Sequence, residues 1–331
     1  MEPRFLHVAN GSSVTMTLAT AGVPGARSIW ADPLHDGPVP GGLDDDALME
    51  VRRRHHSPSP AAANPENDMR RWRQVIANHD AYDELVLWFE HDLFDQLNLI
   101  QLLPFIRAHV PASKTVSLIC IDSFPGYVHF HGLGELQPPD LASLLPTRQP
   151  VVAAQYNLAD ETWRAFRESS PEALGVLAGA AEAAPYDTAS RRLSTLPFLA
   201  RALRRFLENY PWTRDGLSRT ERRLLTLAAE GLADWPAVFA RMIEGEDAYY
   251  VTDTELIELT ESLARGSTPL LTQTNATLSI TPAGRGVLDG RADRIALCGV
   301  DRWFGGVHLQ GHAVPWRWDG DRGRIVRSGP V

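Results

Sequence analysis

The chain has 331 residues, 44% hydrophobic and 22% charged, with a formal net charge of −9. That length accommodates two domains, and the composition excludes a low-complexity or fibrous chain. The acidic balance disfavours polyanion binding, and two cysteines, Cys120 and Cys298, without metal-ligand spacing exclude a disulfide framework or a Cys-ligated zinc and fit a reducing cytoplasm.

The first 130 residues alternate strand and helix. Residues 5–9 read as a strand, 12–21 as a helix ending at Gly22, and 27–31 as a second strand. A helix over 44–56 precedes a Pro-rich loop from Ser57 to Pro65, and another helix covers 67–79. Residues 84–90 are a third strand, 93–109 a helix that Pro104 should kink, and 115–121 a fourth strand. Leu85, Leu87 and Phe89 alternate with Val86 and Trp88, so both faces of the third strand are apolar, as in a strand covered on each side. This pattern predicts an α/β domain with a Rossmann-like parallel sheet over residues 1–150.

Residues 138–209 read as mostly helical, with Ala-rich stretches and Leu193, Leu196, Leu199, Leu203 and Phe206 at helical spacing. Residues 151–212 are therefore assigned to a helical connecting layer, bounded near Pro211 to Gly216. Ser218-Arg-Thr-Glu221 is a capping box that opens a helix, followed by helices over 235–244 and 253–265. Two short strands, 270–272 and 277–281, flank a turn at Gln273 to Ala276, and a short helix opens at Pro282. Three helices and a hairpin predict a winged-helix-like α+β domain over 213–331, with a Trp-rich β-ribbon tail holding Trp303, Trp316 and Trp318.

No basic segment followed by an apolar one is read near the N-terminus, so no signal peptide is expected. The longest near-apolar stretch, Leu97 to Ile106, contains Asn98, Gln101 and Pro104 and is too short to span a bilayer. Residues 1–189 hold 13 basic and 24 acidic side chains, whereas 190–331 hold 19 and 17. Over 246–265 six acids face one arginine, so the third helix of the C-terminal unit repels phosphates and nucleic acid is not the expected partner.

All four strands run into polar residues, and in an open parallel sheet the strand C-terminal ends form the ligand crevice. Asn10-Gly11-Ser12-Ser13, between a strand and a helix start, can cradle an anion on free amides, or can simply be a turn capped by Ser12 or Ser13. Asp32 and His35 on the second exit loop can form an acid–base pair or two metal ligands; alternatively Asp32 caps its own turn. Glu90-His91-Asp92 is the strongest element, because a carboxylate ending a doubly covered strand is costly unless paired. Asp92 and Asp95 also suit the dipole of the following helix. Asp122 ends the fourth strand as a metal or ribose ligand, or as a turn former. His129 and His131 could share a strand face, but no third metal ligand is adjacent. His55-His56 reads as a solvated helix end, and Arg201, Arg204 and Arg205 as a helical stripe with Glu208 as partner.

His7-Val8 with Gly11 and Ser13, Asp32-Pro-Leu-His-Asp-Gly-Pro38, Trp88 with Asp95-Gln96-Leu97, and Gly134-Glu135-Leu136 together resemble a bacterial family catalogued as domain of unknown function 1835. The likeness covers about residues 4–150. Leu217-Ser-Arg-Thr-Glu221 and Arg302-Trp-Phe-Gly-Gly-Val-His-Leu309 look like the partner domain that often accompanies it. The family pattern commonly has an acid at position 12, where this chain has Ser12. The resemblance implies no particular activity, but it implies a shared crevice using Gly11, Asp32, Gly37 and Gln96.

The functional expectation is an enzyme that hydrolyses, or transfers a group from, a small phosphorylated or nucleotide-like ligand. Asp32, His35, Glu90 and His91 are the expected catalytic residues. Asn10, Gly11, Ser12, Ser13, Gly37 and Gln96 would contact the ligand, and Asp92 and Asp122 a divalent metal. The alternative is a ligand-sensing or adaptor protein without chemistry, in which the helical layer relays occupancy to a winged-helix-like partner-binding module; a protein partner or a homo-oligomer fits either reading. A transcription regulator ranks third.

Overall fold

A computed structural model describes residues 3–56, 68–179, 195–232, 234–274 and 277–328. The Pro-rich loop expected at 57–65, Leu193 with most of its Ala-rich stretch, and the tip of the 273–276 turn lie outside these residues.

A five-stranded sheet organises the N-terminal half. β1 (Phe5–Ala9) pairs in parallel with β2 (Ala26–Ile29) on one side and β3 (Glu84–Glu90) on the other, and β3 pairs in parallel with β4 (Thr115–Ile121). The order is β2-β1-β3-β4-β5, so successive connections reverse direction between β1 and β3. The edge strand β5 (Gln149–Pro150) runs antiparallel to β4, through Ser117 and Leu118. This adds an antiparallel edge strand to the parallel sheet expected, while the described residues from 138 to 209 are otherwise mostly helical, as expected. Two residues suffice at an edge, where Pro150 needs no amide for the ladder.

Both faces of the sheet are covered, as the two-sided hydrophobicity of β3 requires. Leu6, Val8, Leu85, Leu87, Phe89 and Leu118 pack in one cluster with α4 (Leu93–His109). Phe5, Ala9, Val86, Trp88 and Ile119 pack in another, with Val14 and Leu18 of α1 (Ser12–Thr20) and Leu141 of α5 (Pro138–Ser143). His7 belongs to this core, not to a site. Trp88 Nε1 donates to its Nδ1 at 3.1 Å, its Nε2 lies 3.0 Å from the Pro24 carbonyl, and burial pulls its pKa down. Helix α4 continues through Pro104 from Leu93 to His109. Its buried amides serve the backbone and the core. Asn98 bonds both the N–H and the C=O of Asp32 at 2.8 Å, and Gln101 accepts from Trp30 Nε1 at 2.8 Å.

The remaining elements of this half are α2 (Asp45–His56) and α3 (Met69–Ala77). Next come α6 (Ala153–Phe166), α7 (Glu172–Gly179) and α8 (Leu199–Leu207). The C-terminal half begins with α9 (Arg219–Ala229), which opens on the expected box of Ser218 and Glu221. Then follow α10 (Trp235–Ile243), α11 (Asp253–Ala264) and the hairpin β6 (Leu271–Thr274) with β7 (Thr277–Ile280). After α12 (Pro282–Leu288) and α13 (Arg294–Cys298), the tail forms two antiparallel hairpins. These are β8 (Val300–Phe304) with β9 (Val307–Gly311), and β10 (Trp316–Asp319) with β11 (Arg324–Arg327). Trp316 and Trp318 are buried, and Trp303 stacks on His308.

The halves meet beside the sheet. The Leu93 N–H donates to the Ala248 carbonyl at 2.7 Å and Val39 N–H to Gly305 at 2.8 Å. The first bond brings the loop before α11 against the start of α4, which places C-terminal side chains over the strand ends. No described helix is long and apolar enough to cross a membrane.

Candidate functional site

A crevice of about 580 Å³ opens where strand order reverses. The ends of β1 and β3 supply Asn10, Glu90, Asp92 and Asp95; the loop before α5 supplies His131, Gly132 and Glu135; the C-terminal half supplies Tyr249, Tyr250, Thr252 and Glu255. Among the described residues, seven of those lining it are Asp or Glu and none is Lys or Arg.

Its floor is a cluster of three carboxylates. Glu90, Asp92 and Asp95 offer ligand atoms that all lie within 4.8 Å of one another. Local structure explains the convergence. Asp92 caps α4 by accepting the Asp95 N–H at 2.8 Å, and that turn swings Asp95 back to accept the Glu90 N–H at 2.8 Å. The other Asp95 oxygen accepts the side-chain amide of Asn10, whose own carbonyl oxygen is buried without a hydrogen bond among the described residues. Glu90 Oε1 accepts the Leu133 N–H at 2.6 Å. Its carboxylate lies against Gly132, where a Cβ would fall 1.8 Å from Oε2, so only glycine lets that loop close over the acid.

Burial opposes charge on all three groups, and mutual repulsion adds to it at Glu90 and Asp95. The Glu90 carboxyl is pushed up to about 8, by burial first and then by Asp92. Burial raises Asp92 to about 6, and Asp95 is held well above its ordinary value by burial, Glu90 and Asp92. Glu255, on the facing wall, goes the other way. Burial works against its charge, but the hydrogen bond and charge of His35 and the bonds from Thr252 outweigh it and bring the carboxyl down to about 2.

The structure brings together Asn10, Ser13, His35, Glu90 and Asp92 of the expected residues. Gly11 and Ser12 stand at the start of α1. Neither serine caps that helix: Gly11 is the N-cap and no side chain satisfies the first amides. His91 sits beside the crevice, buried, with Nε2 3.3 Å from the Tyr250 hydroxyl; burial, then Arg201, lowers its pKa. Four residues lie elsewhere. Asp32 is locked under Arg52, which donates to both its oxygens at 2.8–3.2 Å and also holds the carbonyls of Pro33 and Asp36. Gly37 is pressed against the His55 ring, which a Cβ would meet at 2.2 Å. Gln96 is buried and donates to the Glu90 carbonyl at 2.6 Å, squaring off the end of β3. Asp122 is exposed and lies outside the carboxylate cluster. His129 and His131 lie in an irregular loop rather than on one strand face, and His131 pairs with Glu135 at 2.7 Å. Asp36, His55 and His56 form a second group of potential metal ligands, but Arg52 already lies 2.6 Å from His56 Nε2.

No family model matches the chain, and no curated protein matches it.

Sequence reasoning missed Tyr249, Tyr250 and Glu255, and named Glu135 only within the family resemblance. Thr252-Asp-Thr-Glu255 is a legible capping box, and the structure has it. Nothing local to it, however, points to a crevice built by the other half of the chain. In the sequence Asp95 is a first-turn acid and part of the Asp95-Gln96-Leu97 motif; its spacing from Asp92 is what folds it back onto Glu90.

Proposed function

We propose that this crevice is the active site of an enzyme that hydrolyses, or transfers a group from, a small phosphorylated or nucleotide-like ligand, with a divalent cation at Glu90, Asp92 and Asp95. One observation carries the reading: three carboxylates, Asp95 buried and Glu90 and Asp92 half-buried, converge in a crevice that, among the described residues, no Lys or Arg lines. Buried carboxylates in such proximity stay protonated or take a cation. An all-oxygen donor set suits Mg²⁺, Mn²⁺ or Ca²⁺ better than a soft metal. The uncapped amides at the start of α1 give a phosphate its donors on the β1 side. A bound divalent cation supplies charge neutralisation, polarisation of a phosphoryl oxygen and a more acidic water. His35, on the facing wall, is placed to move a proton.

The same reading takes the sheet as Rossmann-like and α9–α11 with β6–β7 as winged-helix-like. The reversal of strand order supports the first, and the order of three helices and a hairpin the second. The resemblance to family 1835 belongs to it as well: its motif residues Asp95 and Gly134-Glu135 line the crevice, although Gly11, Asp32, Gly37 and Gln96, which it implied there, are not among the lining residues. Acidic α11, with Glu255 and Glu258 on the crevice wall, argues against nucleic acid as the partner. Two free cysteines fit the cytoplasmic setting.

A ligand-sensing protein is the second reading, favoured by a specific feature. Tyr249, Tyr250, Thr252 and Glu255 line the crevice, so occupancy is felt directly at the start of α11.

The test is a thermal-shift screen with Mg²⁺, Mn²⁺ and Ca²⁺, alone and with nucleotides and sugar phosphates, on wild type and Asp95→Asn. A ligand at 100 times its Kd adds about 2.7 kcal/mol. A cation-dependent shift lost in the variant supports the site, and product formation separates enzyme from sensor. No shift with any cation overturns the metal-assisted reading.

A further inference from the structure

His35 and Glu255 are 220 positions apart, yet His35 Nε2 contacts Glu255 Oε1 across the boundary between the two halves. The Tyr249 hydroxyl donates to the same oxygen at 3.0 Å. The other Glu255 oxygen is occupied by the capping box of α11, accepting the Thr252 N–H at 2.7 Å and its hydroxyl at 2.9 Å. The carboxylate is thus fixed from four directions. The imidazole is held as firmly. His35 is 8% exposed, with its ring edge-on to Phe94 at 5.8 Å and to Tyr249 at 5.5 Å. Its second nitrogen, Nδ1, is buried without a hydrogen bond among the described residues. The ring stands in the wall between the carboxylate crevice and a neighbouring cavity of about 780 Å³ that Tyr249 and Glu255 also line.

A carboxylate on one imidazole nitrogen fixes the tautomer and raises the basicity of the other nitrogen. We propose that Glu255, steadied by Tyr249, is the positioning residue that holds His35 with its proton on Nε2, leaving Nδ1 as the proton-accepting atom of the crevice. This rests on the reading of the crevice as a reaction site and adds what that reading lacks: a proton acceptor completed only by α11. In hydrolysis the water oxygen bonds to phosphorus, its proton passes to Nδ1, and the bond to the leaving oxygen breaks. The leaving oxygen, on the far side of phosphorus, takes a proton from solvent, to which His35 later releases its own. No oxidant or further reactant is needed. The arrangement has the logic of a carboxylate–imidazole pair in a hydrolase, with the two members drawn from different halves of the chain.

The experiment is a long-range ¹H–¹⁵N spectrum of the histidine rings in the full-length protein, in wild type, Glu255→Gln, Glu258→Gln and Tyr249→Phe. Gln preserves the capping box while removing the charge, and Glu258 lines the same crevice without a bond to His35 among the described residues. The expected wild-type signature is one His35 tautomer, protonated on Nε2 with a downfield proton, and an unprotonated Nδ1. Glu255→Gln should move that proton upfield and mix the tautomers; Glu258→Gln should leave both unchanged. If Glu255→Gln fails to fold, Tyr249→Phe serves. Loss of its hydroxyl strengthens the remaining bond to Glu255, so the Nε2 proton moves further downfield. A His35 protonated on Nδ1 alone, or ring signals indifferent to both variants, overturns the proposal. A parallel Mn²⁺ titration separates the two claims. Ring signals as expected without Mn²⁺ binding leave the pair standing and remove the cation reading; Mn²⁺ binding with unresponsive ring signals does the reverse.

Discussion

Asn10, the first residue after β1, donates its side-chain amide to Asp95 on α4, across the seam where strand order reverses. The bond joins the two connections that leave the sheet in opposite directions, and it presents a neutral donor to the most crowded of the three acids. Asn10→Asp replaces that donor with a fourth carboxylate. Without divalent cation at about pH 8, urea unfolding should show a loss of about 1–3 kcal/mol. Saturating Mn²⁺ should narrow the difference, because a cation is then shared by four acids instead of three.

The raised carboxyls make stability depend on pH in a defined direction. Glu90 at about 8 and Asp92 at about 6 lie above the ordinary values of 4.5 and 3.8. Between the unfolded and folded values the native state holds protons that the unfolded chain has released, so stability falls as pH rises through that window. With chelator present, Tm measured from about pH 5 to about pH 8 should drop by several degrees, roughly 2–4 °C per kcal/mol for a chain of this size or somewhat less. Glu90→Gln should flatten the profile. A profile of the same slope in that variant would place the lost stability elsewhere.

Asp32 and Asp122 are the two strand-end acids that the crevice does not use, and they should respond in opposite ways. Asp32→Asn leaves the fully buried Arg52 without its charge partner, which typically costs about 3–5 kcal/mol. Asp122→Ala, at an exposed position, should change stability by no more than about 0.5 kcal/mol. Neither should alter the Mn²⁺ affinity of the protein that folds. Loss of Mn²⁺ binding in Asp122→Ala would return that residue to the metal site.

Gly132→Ala tests how closely the loop before α5 must approach the acids. The added methyl would stand 1.8 Å from Glu90 Oε2, so loop or carboxylate must shift. Overpacking of this kind costs about 1–3 kcal/mol. The expected outcome is a folded protein of lower Tm that binds Mn²⁺ at least 10-fold more weakly. Unchanged affinity would show that Glu90 is not a cation ligand.

Much of the fold was legible because it is set by local pattern. The bounds of β3, α4 and β4 match the expected ones to the residue, since a two-sided apolar strand, a helix capped by Asp92 and a buried strand leave little alternative. The capping box at Ser218 marked α9 in the same way. Edge strand β5 was not legible, because two residues carry no period and their pairing with Ser117 and Leu118 is a long-range event.

For the site, sequence alone determined which strand ends are polar and that Glu90 is poorly placed unless something neutralises it. It also set the turn from Asp92 to Asp95, because capping geometry is local. Only the tertiary structure decided which of these acids meet. Arg52 reaches from α2 and withdraws Asp32 into an ion pair, while the bond from Leu93 to Ala248 carries Tyr249 and Glu255 over the strand ends. A carboxylate looks the same in sequence whether it will be paired or left to share a crevice. Its partner is chosen by packing between segments far apart in the chain, and that choice sets its charge and its use.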